Sequence, residues 1–309
     1  MENILIIGSG GQLGSELEEY LISLYGREKI FSSDIKKLND KASNFILLDA
    51  LDKKKLFEIV KNNKIKIIYH LAAILSAKGE NDPIRTWNIN MNTLFNVLEL
   101  AREQIVSKVF WPSSIAVFGP SSPNSPALQF SIMDPITMYG ISKLSGENWC
   151  EYYNKNYSTD VRSIRFPGVI SYKSLPGGGT TDYAVDIFHS AKKNNKFSCF
   201  LKKDTYLPMI YIDDALQAIK KIMEVDKSNL TLSSSYNISA MSFSPEELSD
   251  SIRKHKKSFE ISYDPDFRQK IADSWPNSIE DSHARKDWGW SENFSLEKMT
   301  KEILMKLKM

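Results

Sequence analysis

The sequence is poor in the features that most quickly assign a chain to a class. Of 309 residues only two are cysteine, Cys150 and Cys199, too few for a disulfide framework and not at metal-ligand spacing. Both are expected to be buried free thiols. The four histidines, His70, His189, His255 and His283, do not cluster, so no metal is expected, and a zinc-dependent alcohol chemistry is disfavoured. Neither sign of charge dominates. Lys and Arg number 40 against 38 Asp and Glu, leaving +2, which gives no bulk reason to bind nucleic acid or a membrane surface. The short basic runs Lys53-Lys-Lys55 and Lys256-Lys257 read as solvated faces. No apolar run is long enough to span a bilayer. Met1-Glu-Asn3 leads directly into a strand-like pattern, so no signal peptide is expected and the expected setting is cytoplasmic and reducing. No repeat, low-complexity segment or flexible linker is evident.

What is present is alternation. Asn3-Ile-Leu-Ile-Ile7 reads as a buried strand, and Leu13, Leu17, Leu21 and Leu24 share one face of a following helix. Strands are then expected at 29–33, 44–48, 65–72, 108–111 and 161–166, with helices at 52–62, 84–102 and 139–155. In the last of these, Ile141, Leu144, Trp149 and Tyr152 are spaced for burial. Such βα alternation predicts an α/β fold, a doubly wound parallel sheet of Rossmann type with right-handed crossovers and helices on both faces. The second half is less regular. It has a loop at Leu175-Pro-Gly-Gly-Gly179, a helix over 182–194, strands at 197–201 and 207–212, and a helix opened by Asp213-Asp214. Ser244 and Pro245 read as N-cap and first residue of another helix. A strand at 259–263 and a terminal helix over 295–308 follow. The expected division is a nucleotide domain over 1–170 with returning segments near 207–238. A smaller lobe would hold 171–206 and 239–309.

Gly8-Ser-Gly-Gly11-Gln-Leu-Gly14 joins the first strand to the first helix, with Gly8, Gly11 and Gly14 at G-x-x-G-x-x-G spacing. A side chain at these positions would block the turn, the approach of a pyrophosphate, or helix–strand packing. The free N–H groups of the helix start attract phosphate. No Gly-Lys-Ser/Thr follows, which excludes a Walker loop. Asp34, 20 residues past Gly14, is placed to accept ribose hydroxyls and to repel a 2′-phosphate, favouring NAD over NADP, although Lys36 and Lys37 are nearby. Asp49, followed by Ala50, ends the third strand, where its carboxylate can accept from an adenine amino group or instead cap the next helix. Leu71-Ala72-Ala73 ends the fourth, where small residues let a ribose and diphosphate lie close. Gln12 and Leu13, inside the glycine turn, complete this cofactor set.

Tyr139 and Lys143 stand at i, i+4 and share a helix face. An ammonium beside a phenol favours phenolate and lowers its pKa, which would make Tyr139 a base near neutral pH.

Together the glycine turn, Ser113-Ser114 and Tyr139-x-x-x-Lys143 resemble the extended short-chain dehydrogenase/reductase superfamily, which includes the sugar-nucleotide 4-epimerases. The similarity spans essentially the whole chain. Five longer stretches resemble the short-chain-type L-threonine 3-dehydrogenases within it. They are Pro112-Ser-Ser-Ile-Ala-Val-Phe-Gly119, Pro167-Gly-Val-Ile-Ser-Tyr172, Pro176-Gly-Gly-Gly-Thr-Thr-Asp-Tyr-Ala184, Ile271-Ala-Asp-Ser-Trp-Pro276 and Asp281-Ser-His-Ala-Arg-Lys-Asp-Trp-Gly-Trp290. The resemblance implies NAD-dependent oxidation of the L-threonine β-hydroxyl to 2-amino-3-ketobutyrate, with Tyr139 as base. Lys143 would be its electrostatic partner and hold the nicotinamide ribose. Ser114, or its neighbour Ser113, would be the hydroxyl that polarises the substrate oxygen. Asn90 would support the lysine through water, and Pro167, Gly168 and Val169 would face the carboxamide. Family members pair through the two long helices, here 84–102 and 139–155, so a homodimer is expected, with Leu94, Val97 and Leu98 suited either to that interface or to the sheet.

For a threonine zwitterion, Gly178, Thr180 and Thr181 before the next helix offer a carboxylate site, with Thr181 as N-cap. Ser76 can contact the amino acid from the opposite side, Trp275 can cover the pocket, and Arg268 is a further carboxylate candidate. Trp288 and Trp290 read as structural. The alternative enzyme is a sugar-nucleotide epimerase or dehydratase on the same scaffold. Against it, Arg165-Phe166-Pro167-Gly168 lacks the asparagine that those enzymes place after the strand, and Ile115-Ala116, not acidic residues, follow Ser114. A cofactor-sensing regulator without turnover would be expected to have lost Tyr139, Lys143 or the hydroxyl.

Overall fold

The computed structural model describes residues 2–38, 44–173, 175 and 177–307. Pro176 of the glycine loop and Lys308 of the expected terminal helix lie outside the described residues. In chain order the elements are β1 (Asn3–Ile7), α1 (Gln12–Tyr25), β2 (Ile30–Asp34), β3 (Phe45–Leu47), α2 (Lys53–Asn62), β4 (Ile65–His70), α3 (Ser76–Gly79), α4 (Pro83–Arg102), β5 (Lys108–Ser114), α5 (Met138–Tyr157), β6 (Val161–Phe166) and β7 (Gly168–Ile170). They continue with α6 (Tyr183–Lys193), β8 (Lys196–Cys199), β9 (Leu207–Tyr211), α7 (Ile212–Glu224), β10 (Ser235–Asn237), β11 (Met241–Phe243), α8 (Pro245–His255), β12 (Glu260–Tyr263), α9 (Arg268–Ala272), α10 (Ser282–Trp288) and α11 (Leu296–Lys306).

Seven strands form one sheet in the order β10-β6-β5-β4-β1-β2-β3, every pairing parallel. The order reverses direction between β1 and β4, the position at which open α/β sheets leave a crevice at the strand carboxyl ends. Side chains alternate across β1. Ile4 and Ile6 join a core with Leu17 and Leu21 of α1 and Ile219 and Ile222 of α7, while Leu5 and Ile7 join a second core with Leu56 and Val60 of α2 and Leu94, Val97 and Leu98 of α4. Burial on both faces is why β1 reads as a continuous apolar run rather than an alternating one. The sequence pattern did not mark β7, β10, β11, α3, α9 and α10. The short strand β10 completes the main sheet beside β6, whereas β11-β9-β7 and β12-β8 make smaller sheets.

The caps that set the helix starts are local and readable. Asp52 accepts from the Lys55 N–H, Asp82 from that of Arg85 with Pro83 next to it, and Ser244 forms a capping box with Glu247. Thr137, which the pattern missed, accepts from the Gly140 N–H at 3.1 Å and fixes where α5 begins, two residues before Tyr139.

Two helix faces differ from expectation. On α5 the buried side carries Gly140, Ser142, Lys143, Gly146, Glu147, Cys150 and Tyr153, while Ile141, Trp149 and Tyr152 are exposed. Small residues let α5 lie against β5, and a Cβ at Gly146 would sit 2.4 Å from the Trp111 ring. Leu24 of α1 is likewise exposed. Leu94, Val97 and Leu98 are buried within the chain's own core, so they pack on the sheet and are not available to an interface. Cys150 and Cys199 are buried free thiols. Trp288 and Trp290 pack against one another, with the Trp290 Nε1–H donating to the Ser239 carbonyl and to Asp281. Among the described residues no helix is long and apolar enough to cross a membrane.

Candidate active site

A cleft of about 250 Å³ lies at the carboxyl ends of the central strands. Its walls bring together Gly8, Gly11, Gln12 and Leu13 from the first turn, Leu71, Ala73 and Ser76 after β4, Ser114 at the end of β5, Tyr139 and Lys143 of α5, Pro167 after β6, and Thr180, Thr181 and Trp275 from the second half of the chain. Asp34, Asp49, Ala50, Ala72, Asn90 and Gly178 do not line it.

The glycine turn suits a dinucleotide. A Cβ on Gly14 would stand 2.2 Å from the Gly8 carbonyl oxygen, so only glycine lets α1 start against the end of β1. A Cβ on Gly11 would meet nothing closer than 3.5 Å, which leaves the rim of the turn open for a ligand. Gly11 is the N-cap of α1 and supplies no side-chain cap, so the helix start keeps free N–H groups for phosphate. Asp34 ends β2 and accepts the Gly10 N–H at 2.9 Å and the Lys36 N–H at 3.1 Å, tying its carboxylate to the turn. Gly10, the unmarked glycine of the motif, is thus fixed by Asp34. Asp49 accepts the Leu51 N–H at 2.9 Å, and the cap of α2 is Asp52 instead. Ala50 is buried beside it, its carbonyl accepting from Asn96.

The two serines separate. Both line the cleft, but the buried Ser113 hydroxyl donates to Glu147, while the Ser114 hydroxyl accepts the Ala116 N–H at 3.2 Å. Ser114 is also hydrogen-bonded to Tyr139. The Lys143 Nζ donates to the Pro112 carbonyl at 2.5 Å and lies 4.4 Å from the Trp111 ring centre and 5.5 Å from that of Tyr139. Asn90 clamps residue 74, accepting its N–H at 2.8 Å and donating to its carbonyl, and donates to Ser142.

The electrostatics correct one expectation. Burial pushes the Tyr139 phenol up to about 12, with the Ser114 hydrogen bond pulling the other way. Burial also pulls Lys143 down to about 7, against the nearby Cys150 and Glu147. Desolvation penalises phenolate and ammonium alike, so in the protein alone it outweighs the neighbour effect inferred from the i, i+4 spacing.

The second-half wall also differs from expectation. The N-cap of α6 is Asp182, not Thr181. The Asp182 Oδ2 accepts the Gly178 and Gly179 N–H groups at 2.8 and 2.7 Å, so the amides expected to receive a substrate carboxylate already bind one. Burial raises the Asp182 pKa and these two bonds lower it. Asp182 lines the cleft, and among the described lining residues it is the sole acidic side chain, with Lys143 the sole basic one. Ser76 meets Thr180 across 104 residues of chain, hydroxyl to hydroxyl at 3.2 Å, and both are buried. Trp275 is buried against the same cleft. Arg268 is not on the wall; it pairs with Asp266 at 2.6 Å and lies over the Phe200 ring. Asp182 carried a sequence signal, a cap-forming residue at the start of the expected helix, but its neighbours Thr180 and Thr181 are cap-forming residues too.

Comparison with known proteins agrees with this geometry. The model of the NAD dependent epimerase/dehydratase family matches residues 4–239. The mitochondrial L-threonine 3-dehydrogenase of Bos taurus is 46% identical over 307 residues, 98% of this chain and 82% of that protein. The holo form of a GalE-like L-threonine dehydrogenase from Cupriavidus necator superposes with a TM-score of 0.97 at 48% identity, covering 99% of this chain and 100% of that one. A monomeric L-threonine 3-dehydrogenase of metagenomic origin, in its apo form, gives 0.95 at 45% identity over 98% and 97%.

Proposed function

The chain belongs to the NAD dependent epimerase/dehydratase family, and on that premise we propose that it oxidises the β-hydroxyl of L-threonine to 2-amino-3-ketobutyrate. The observation that carries this reading is that Asp182 is the sole acidic side chain among the described residues of a cleft wall that Ser114, Tyr139, Ser76 and Thr180 also line. A small zwitterion bearing a secondary alcohol matches that set. A nucleoside diphosphate sugar would bring two negative charges towards Asp182.

In this reading Tyr139 Oη takes the hydroxyl proton of threonine, and the Ser114 hydroxyl holds the oxygen from which it leaves. Lys143, steadied by the Pro112 carbonyl, offsets the phenolate charge and binds the nicotinamide ribose. NAD supplies the hydride acceptor and, in its oxidised form, one further positive charge close to the phenol. That charge opposes the burial that raises Tyr139. The turn residues Gly8, Gly11, Gln12 and Leu13 hold the diphosphate, Asp34 the ribose, Asp49 and Ala50 the adenine end, and Leu71, Ala72, Ala73, Asn90 and Pro167 the nicotinamide side. The substrate ammonium faces Asp182. Ser76, Thr180, Thr181 and Gly178 frame the rest of the amino acid, and Trp275 covers it.

We further assign residues 1–170 and 207–238 to the nucleotide domain and 171–206 and 239–309 to the substrate lobe. A homodimer through α4 and α5 is supported by the exposed Trp149, Tyr152 and Tyr157, with Phe95 edge-on to Trp149 at 4.9 Å. Sedimentation of the unmodified chain against a Trp149→Glu variant tests it, and two monomers would overturn it. A cytoplasmic setting fits the two free thiols.

The test of the activity is NADH absorbance on mixing the chain with NAD and L-threonine, run beside NAD and UDP-galactose. NADH with threonine alone is expected. Epimerised sugar without NADH from threonine would overturn the reading.

A further inference from the structure

Glu147 is one turn beyond Lys143 and two beyond Tyr139 on α5, on the face turned to the sheet, and it is 1% exposed. Three elements converge on its carboxylate. The Ser113 Oγ of β5 donates to Oε1. From β6, the Arg165 Nε donates to Oε1 at 2.9 Å and Nη2 to Oε2 at 2.7 Å, a buried two-point pair with the arginine 3% exposed. Arg165 is held in turn by the Gln129 carbonyl at 2.9 Å and by Asn237 Oδ1 at 3.1 Å, with Phe118 beneath it. A buried carboxylate with all its partners in place is rigid.

Two consequences reach the cleft. Ser113 and Ser114 are adjacent in an extended strand, so they point to opposite sides. The Ser113 hydroxyl is committed to Glu147, which leaves the Ser114 hydroxyl for the cleft. Lys143 shares the Glu147 face of α5, where its Nζ also donates to the Pro112 carbonyl and lies over the Trp111 ring. Near it are the neutral His70 of β4, the thiol Cys150, and the ring of Tyr139.

We propose that Glu147 is a positioning residue of the reaction: it engages the Ser113 hydroxyl so that the Ser114 hydroxyl is the one left for the substrate, and it sets a carboxylate one turn behind Lys143. This rests on the threonine-oxidation reading above. Glu147 does not touch the cleft and acts through Ser114 and Lys143. Its charge is one of two influences that oppose the burial pulling Lys143 down to about 7.

The test separates charge from contact. Lys143 is followed directly by NMR of enzyme carrying 13Cε-lysine, where a lysine titrating near neutral pH stands apart from surface lysines near 10.4. In Glu147→Gln the Lys143 midpoint is expected to fall by about one pH unit or more, with kcat for threonine lowered at least about tenfold at pH 7. Glu147→Asp keeps the charge and is expected to keep the midpoint within about half a unit. If Glu147→Gln does not fold because Arg165 is left unpaired, Glu147→Gln/Arg165→Met is read against Arg165→Met, so that only the carboxylate differs between the two. Ser113→Ala leaves the ion pair intact and reads the contact alone, with a kcat loss of several-fold at unchanged KM for NAD. A Lys143 midpoint unmoved in Glu147→Gln, or equal in Glu147→Gln/Arg165→Met and Arg165→Met, overturns the charge role, and an unchanged kcat in Ser113→Ala overturns the contact role. Failure of the unmodified chain to oxidise threonine would overturn the earlier reading instead, since the NMR midpoints need no turnover.

Discussion

The two walls of the cleft are built in different ways. The wall proposed to hold the nucleotide is local. Gly8 to Gly14 make one turn, Asp34 ends the adjacent strand and reaches back 24 residues to the Gly10 amide, and Leu71 and Ala73 follow the next strand over. The substrate wall is assembled from distant pieces. Ser76 meets Thr180 over 104 residues, and Trp275 arrives from a third segment. A local wall is specified by spacing, so its chemistry can vary little without breaking the turn. A composite wall is specified by packing, and single side chains there can change what is recognised while the nucleotide wall stands.

Between the walls sits the Tyr139–Lys143 pair, and the largest expected effect falls there. Tyr139→Phe should lower kcat for threonine by about 10²–10⁴-fold while the dissociation constant for NAD, from fluorescence titration, changes by no more than about twofold. Equal losses in both would mean that the pair belongs to the nucleotide wall. Next, Gly14→Ala drives a Cβ into the Gly8 carbonyl, 2.2 Å away. It should weaken NAD binding by about 10²-fold or more and lower the melting temperature, measured by calorimetry without ligand. An Asp34→Asn change is milder, weakening NAD by about tenfold and narrowing the preference over NADP, with threonine KM unmoved at saturating NAD.

Legibility followed the same division. The first six strands and the three long helices of the nucleotide half were readable because periodicity is local, although the cap of α2 is Asp52 and not Asp49. The orientation of α5 was not. Its bulky residues, Trp149 and Tyr152, point outward and its small ones inward, and a hydrophobic period marks a stripe without saying which partner covers it. The choice between Ser113 and Ser114 depended on a partner, Glu147, that spacing cannot reveal. Placing the helix cap at Thr181 failed because Thr180, Thr181 and Asp182 all favour a cap, and only the folded loop shows that the Asp182 carboxylate takes the Gly178 and Gly179 amides. The lowered phenol pKa expected from Lys143 failed because burial, which a sequence does not display, acts on both members of the pair.

The central claim is that the second-half wall reads a zwitterion through Asp182 while the first-half wall holds NAD unaided. Steady-state kinetics of Asp182→Asn test it most directly. The side chain keeps its shape and an acceptor oxygen for the Gly178 and Gly179 amides, and loses the charge that faces an ammonium. The account predicts a rise of about 10–100-fold in KM for L-threonine, the loss of one charge-assisted hydrogen bond, with KM for NAD within about twofold. An unchanged threonine KM, or equal rises for threonine and NAD, would contradict it.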